Sequence, residues 1–126
     1  MNKGVKTLVY GKTQECLELV EMLKVHPLFV GKKHEYNNVD SHDDFQVQLV
    51  EWTPNLAIVL ADGVAGMEGV YLVRDNRPDT PVFWFSDDYN FGMQSHRLEC
   101  KYFATKPVTS EKINKALRQC DFLGIN

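Results

Sequence analysis

The sequence predicts a doubly wound α/β fold, in which a five-stranded parallel sheet carries helices on both faces. Short, continuously apolar runs rich in β-forming residues alternate with longer stretches whose apolar residues recur at helical spacing. Such continuous runs are typical of strands covered on both faces, as in a parallel sheet. With 126 residues, 44% of them hydrophobic, the chain can bury a substantial core, and residues 1–126 are predicted to form a single domain.

Strands and helices are predicted to alternate five times along the chain. The predicted strands are Val5 to Tyr10, Leu28 to Tyr36, Leu56 to Ala61, Val82 to Phe85 and Tyr102 to Ala104. The predicted helices are Thr13 to Lys24, Ser41 to Trp52, Met67 to Asn76, Gly92 to Glu99 and Ser110 to Cys120. The last helix has the clearest signal, an apolar stripe at i, i+3, i+4 and i+7 behind a Ser110 cap. In such folds a binding site is expected beyond the carboxyl ends of the strands.

Composition excludes several classes of function. A net charge of −3, without a lysine or arginine block, predicts no direct binding to nucleic acid or to an anionic membrane. No apolar run is long enough for a signal peptide or a membrane span. The three cysteines lack zinc-site spacing and fit no disulfide framework, which indicates reduced thiols in the cytoplasm. The four histidines, His26, His34, His42 and His96, show no mutual ligand spacing.

The loops after the strands carry the residues of chemical interest. Gly11-Lys12-Thr13 is similar to the end of a phosphate-binding P-loop, but Lys6 stands where that motif needs glycine, so a turn that opens a helix is expected. Asp62 follows the third strand, and flexible glycines come behind it. Ser86 ends the fourth strand and Lys106 the fifth. A carboxylate, a hydroxyl and an ammonium are therefore predicted to converge at one edge of the sheet.

These residues resemble the receiver domain of bacterial two-component response regulators, over essentially the whole chain. The match is strongest in Phe103-Ala104-Thr105-Lys106-Pro107, where an aromatic residue precedes lysine by three positions. Pro54 to Leu60, followed by Gly66-Met67-Glu68-Gly69, is similar to the family's third strand and following loop. The resemblance implies a flavodoxin-like (CheY-like) (βα)5 fold and a cis Lys106–Pro107 bond. A narrower likeness, to receivers that precede LytTR-type DNA-binding domains, rests on Phe91 to Ser95 with Tyr102.

The resemblance also assigns candidate roles, each with a simpler alternative. It makes Asp62 the candidate phosphoacceptor, although Ala61 falls on the usual aspartate position; the alternative is an Asp62–Lys106 ion pair or a solvated carboxylate. Ser86 either senses an occupied site or hydrogen-bonds the neighbouring loop. Phe103 either switches rotamer or packs in the core. Asp87-Asp88 is most simply a polar turn.

The sequence departs from the family at the magnesium site. Receivers carry two acidic residues just after the first strand, whereas this chain has Tyr10 and Gly11, or Gly11 and Lys12 after a one-residue slip. We therefore expect no cofactor and little or no Mg²⁺ binding. Without the metal, one ammonium supplies only part of the positive charge that phosphoryl transfer needs.

The resulting interpretation is a pseudo-receiver, a signalling module of a two-component or transcriptional regulatory system that is not an enzyme. Its partner would be a sensor kinase, an effector domain or a second copy. The expected interface runs from Met93 to Gln119, with His96 and Tyr102 as candidate anchors. One alternative is an active receiver phosphorylated at Asp62. Another is a small flavodoxin-like protein that binds a nucleotide or flavin.

Overall fold

The computed structural model describes residues 4–120, which form one five-stranded parallel sheet flanked by helices. The strands are β1 (Val5–Tyr10), β2 (His34–Val39), β3 (Leu56–Val59), β4 (Val82–Ser86) and β5 (Tyr102–Thr105). The helices are α1 (Thr13–Lys24), α2 (His42–Glu51), α3 (Gly63–Asn76), α4 (Gly92–Arg97) and α5 (Ser110–Leu117). A single 3₁₀ turn, Tyr89–Phe91, leads into α4. The predicted five-stranded, doubly wound sheet is confirmed.

The strand order is β2-β1-β3-β4-β5, so the direction of winding reverses between β1 and β3. Helices α1 and α5 cover one face of the sheet, where Leu19 and Ile113 pack against Phe83 and Phe85. The other face is covered by α2 and α3, and Phe45 of α2 lies against the same cluster as Trp84 of β4. Both faces of β1, β3 and β4 are thereby removed from water, which explains their continuous apolar sequence.

The second strand was predicted too early in the chain: only its last three predicted residues, His34 to Tyr36, lie in β2. Leu28 to Lys33 form turns instead, closed by backbone hydrogen bonds to His26 and Phe29 and by Gly31 at a φ of 79°. The apolar residues here do not mark a strand, because Phe29 is buried in the core although it lies in a turn. The true strand, HEYNNV, is a polar edge strand that pairs only with β1 among the described residues.

Several helix and strand ends also differ from the prediction. Helix α3 begins at Gly63 rather than Met67, and β3 ends at Val59 rather than Ala61. Helix α4 ends at Arg97, two residues before the predicted Glu99. Thr109, not Ser110, caps α5, because its hydroxyl accepts the N–H of Lys112 at 3.2 Å.

Helix α5 ends at Leu117, so the predicted extension to Cys120 is not helical. The tail beyond residue 120 lies outside the described residues. No helix within residues 4–120 is long and apolar enough to span a membrane.

His34 gives the fold an expected sensitivity to acid. Its Nε2 lies 2.7 Å from the Thr7 hydroxyl, its Nδ1 contacts the Tyr36 hydroxyl, and its ring packs 4.1 Å from the Phe29 ring centroid. Burial lowers the pKa of His34 from 6.5 to about 4. Between about pH 4 and pH 6.5, His34 is therefore protonated in the unfolded chain but neutral in the folded chain. The contribution of His34 to stability is full above about pH 6.5 and is lost as the pH falls toward 4.

We predict that protonation of His34 lowers the free energy of unfolding by about 1 to 2 kcal/mol between pH 6.5 and pH 4. This value is smaller than the full difference in pKa would give, because solvent reaches part of the ring. Urea unfolding at several pH values measures it. Relative to the wild type, His34→Gln should flatten this part of the pH profile. An unchanged slope in His34→Gln would contradict the prediction.

Candidate functional site

Lys106 directly follows β5, the last strand of the sheet, and its side chain reaches the carboxyl end of β3. Its Nζ is 2.6 Å from Asp62 Oδ1, 2.8 Å from Glu15 Oε2 and 2.7 Å from the carbonyl oxygen of Leu60. The Lys106 side chain is 15% exposed, and the Asp62 and Glu15 side chains are 36% and 32% exposed. The site is thus a half-buried ammonium held between two carboxylates.

Asp62 reaches Lys106 because β3 ends early. A continued strand would alternate its side chains across the sheet, but β3 stops at Val59, and Asp62 becomes the residue that precedes α3. Its carboxylate therefore points to the ammonium although Asp62 stands one residue later than the family position. The structure contains the Asp62–Lys106 ion pair that the sequence offered as one alternative, and the phosphoacceptor role of Asp62 stays a prediction.

The second carboxylate, Glu15, was missed by the sequence analysis. It lies in the first turn of α1, a position where the helix dipole favours negative charge. The signal was available: α1 begins at the same edge of the sheet as Lys106, and Glu15 is an acidic residue of its first turn. Burial by itself would lower the pKa of Lys106, but the hydrogen bonds to Asp62 and Glu15 outweigh it, and the pKa is raised.

Lys112 of α5 is a further lysine that the sequence analysis did not single out. Its Nζ donates to the carbonyl oxygens of Thr105 at 2.5 Å and Pro107 at 2.9 Å. These carbonyls flank Lys106, and the Lys106–Pro107 peptide bond between them is cis. Lys112 therefore positions the backbone that carries the site lysine.

The place of the family's acidic pair is filled by packing groups. Tyr10 is 5% exposed, and its ring stacks on Phe45 with centroids 4.9 Å apart. Burial raises the pKa of Tyr10. A side chain at Gly11 would begin 2.8 Å from the Leu60 Cβ and 3.2 Å from its carbonyl carbon, so a carboxylate there would displace the end of β3.

A cavity of about 560 Å³ lies beside this position, and Tyr10, Gly11 and Asp62 line it together with Asp40. Asp40 follows β2 and was overlooked because the second strand was misplaced in the prediction. Within residues 4–120, no group of three or more His, Cys, Asp or Glu side chains is arranged to hold a metal ion.

Ser86 and its neighbours form a structured turn. Ser86 is fully buried, and its hydroxyl accepts the N–H of Asp88 at 3.1 Å. Asp87 accepts the N–H of Gly63 at 3.0 Å, which joins the β4–α4 loop to the start of α3, and Asp88 caps the 3₁₀ turn through the N–H of Asn90. The Ser86 hydroxyl thus hydrogen-bonds the neighbouring loop, as the simpler alternative for this residue predicts.

Phe103 and Tyr102 point to opposite faces of β5. Phe103 is half-buried and meets the Trp84 ring edge-on, with centroids 5.2 Å apart. Tyr102 is also half-buried and lies 5.8 Å from the Phe85 ring. Tyr102 is therefore half-buried against the core rather than exposed, and its role as an interface anchor stays a prediction. His96 on α4 is exposed as expected.

Two of the glycines behind Asp62, Gly66 and Gly69, serve close packing rather than flexibility. Gly66 and Gly69 are buried inside α3. A Cβ on Gly66 would lie 2.2 Å from the carbonyl oxygen of Ala61, and one on Gly69 would lie 2.9 Å from the Tyr10 ring. Glycine lets α3 approach the ends of β1 and β3, which brings Asp62 to the site.

Two cysteines offer no nucleophile to the site. Burial raises the pKa of Cys16 to about 11 and that of Cys100 to about 12. Both thiols therefore stay protonated near neutral pH.

The fold of this chain has counterparts among solved structures. No family model matches the sequence, and no curated protein matches it. Solved structures do. The chemotaxis protein CheY4 of Vibrio cholerae superposes with a TM-score of 0.72 at 14% identity, over 93% of this chain and 98% of that one. The chain has the fold of a CheY-like receiver domain.

Two further structures share the receiver fold. A CheY-like response regulator receiver domain from Methanospirillum hungatei superposes with a TM-score of 0.72 at 12% identity, over 97% of this chain and 95% of that one. The signal receiver domain of a modulated diguanylate cyclase from Desulfovibrio desulfuricans gives 0.69 at 14% identity, over 92% of both chains. At these identities the comparison establishes the receiver fold and leaves function to be argued from the site.

Proposed function

We propose that this chain is a receiver-like signalling module that acts through protein–protein contacts, with little or no Mg²⁺-dependent phosphorylation of Asp62. The observation that carries the proposal is the filled acidic-pair position, where Tyr10 is buried and Gly11 has no room for a side chain. The receiver fold of the solved neighbours supports a role in two-component signalling in the cytoplasm. The narrower likeness to LytTR-type regulators stays a prediction.

The chemical argument concerns positive charge. Transfer of a phosphoryl group to a carboxylate depends on cations that neutralise the charge developing on its oxygens. Among the described residues, Lys106 is the ammonium in ion-pair contact with Asp62, and it also pairs with a second carboxylate, Glu15. Lys12 lines the adjoining cavity. A divalent ion would need oxygen ligands in addition to Asp62, and Tyr10 and Gly11 at the acidic-pair position offer no carboxylate. Asp40 lines the same cavity and Glu15 is paired with Lys106, but within residues 4–120 no three acidic, histidine or cysteine side chains are arranged to hold a metal ion.

We predict that acetyl phosphate with Mg²⁺ leaves the wild-type mass unchanged under conditions that label an ordinary receiver. Intact-mass spectrometry measures the outcome, with an active receiver in the same tube as the internal control. A phosphoryl adduct on the wild type that is absent from Asp62→Asn would contradict the proposal. It would establish the alternative, an active receiver that uses Asp62.

The proposed contact surface comprises α4, β5 and α5, and its most exposed large apolar side chain, Met93, lies on α4. Met93 is 70% exposed and Tyr89, just before α4, is 75% exposed. His96 lies one turn after Met93 and is also exposed. Exposed aromatic and methionine side chains are enriched in protein interfaces. A sensor kinase, an effector domain or a second copy of this chain is the proposed class of partner.

We predict that Met93→Asp weakens partner binding or self-association by at least about tenfold, because it places a charge in an apolar contact. The matched control is Val47→Asp on α2, which is also exposed but lies outside this surface. Sedimentation measures self-association, and titration measures a captured partner. Equal losses in both variants would contradict the assignment of this surface.

A further inference from the structure

The contact between Glu15 and Lys106 occupies a hydrogen-bond donor of the site lysine, and the missing acidic pair after β1 does not explain it. A lysine ammonium has three N–H donors. In this chain one is directed to Glu15, one to Asp62 and one to the carbonyl oxygen of Leu60, at 2.8, 2.6 and 2.7 Å. The chain's own oxygens therefore satisfy the whole hydrogen-bonding capacity of Lys106.

The three partners of Lys106 differ in how they are held. The Leu60 carbonyl belongs to the backbone just after β3, and Asp62 immediately precedes α3. The two carboxylates are similarly exposed, at 36% for Asp62 and 32% for Glu15. Glu15, by contrast with Asp62, is the longer side chain and reaches across from α1. It also lines an open groove of about 520 Å³ between α1 and the Lys106–Pro107 loop. Of the three oxygens, that of Glu15 is the one that a small ligand from solvent can displace with the least rearrangement.

The net charge of the three side chains also indicates that Glu15 keeps anions away from Lys106. With Glu15 and Asp62 ionised and Lys106 protonated, the three side chains carry a net charge of −1, which repels an incoming anion. Without Glu15 they are neutral, and one N–H donor of the ammonium faces the groove. Removing a like charge about 5 Å from a bound anion is worth from several-fold to over a hundredfold in affinity, depending on the local dielectric.

We propose that Glu15 is a resident anion for Lys106: its carboxylate occupies the position of an external oxyanion such as phosphate, and its removal opens a phosphate-binding site at the ammonium. This inference rests on the proposed function, because it concerns the same lysine. It adds that the site is occupied from within the chain, so the module stays in one state whether or not small oxyanions are present.

The test uses inorganic phosphate alone, titrated at constant ionic strength, and follows the backbone amide resonances of Gly63 and Lys106. We expect no saturable shift in the wild type. Glu15→Ala should bind phosphate at least about tenfold more tightly. The matched control is Glu18→Ala, which removes the same charge from the same helix and groove. Thermal unfolding checks that each variant is folded, and Glu15→Gln replaces Glu15→Ala if the latter is not.

Each of the following outcomes would overturn the inference. They are saturable phosphate binding at these amides in the wild type, an equal gain in Glu18→Ala, and a gain that persists when Lys106→Met is added to Glu15→Ala. A Glu15 variant that binds no better than the wild type overturns it as well. No phosphodonor is present, so these results are independent of the acetyl phosphate experiment, by which the proposed function stands or falls.

Discussion

Gly66→Ala is expected to lower the free energy of unfolding by about 3 kcal/mol, in the upper range for overpacking in a core. The added methyl group would lie 2.2 Å from the Ala61 carbonyl oxygen and 3.1 Å from Trp84 Nε1. The first is a backbone atom and the second belongs to a fully buried ring, so neither can move without shifting α3 or β4. Urea unfolding, followed by tryptophan fluorescence, measures the loss.

Gly92→Ala is the matched control for this prediction. Gly92 is also a helical glycine, but a methyl group there would lie 3.8 Å from the Phe103 ring, an ordinary van der Waals contact. Replacing glycine by alanine in a helix without a clash changes stability by less than about 1 kcal/mol, in the favourable direction. Equal unfolding free energies for the two variants would show that α3 does not need glycine at position 66.

Lys106→Met should cost about 2 kcal/mol of unfolding free energy, because it leaves Glu15 and Asp62 facing each other without the cation between them. Breaking a buried ion pair costs about 3 to 5 kcal/mol and an exposed one about 0 to 1. A lysine side chain that is 15% exposed, between carboxylates about one-third exposed, lies between these limits. Chemical denaturation of the single variants and of Lys106→Met/Asp62→Asn measures the coupling.

The double variant should recover part of the loss, since one of the two opposed charges is gone. Lys115→Met is the control. Its ion pair with Glu111 joins side chains that are 55% and 78% exposed, and its removal should cost less than about 0.5 kcal/mol. If Lys106→Met costs no more than Lys115→Met, the site lysine contributes nothing to folding. Functional comparisons of Lys106 variants therefore need equal folded fractions.

The fold was predictable because its strongest signals are local. Continuous apolar runs at β1, β3 and β4 reflect burial on both faces of the sheet, and the stripe of α5 reflects burial on one face of a helix. Strand β2 was predicted incorrectly because an edge strand carries few apolar residues, while a turn residue, Phe29, carries the local apolar signal into the core.

The residues of the site were predictable only in part. Asp62, Ser86 and Lys106 were found because they lie at or just after the carboxyl ends of strands in a parallel sheet, and these ends share one edge. The sequence by itself determined this edge and the lack of an acidic pair after β1. Only the tertiary structure decided that β3 ends before Asp62, that Glu15 reaches Lys106 from α1 and that Gly11 has no room for a side chain. The physical reason is that direction and distance between side chains on different elements depend on where each element ends and how closely the elements pack, and these are set by contacts between residues far apart in the chain.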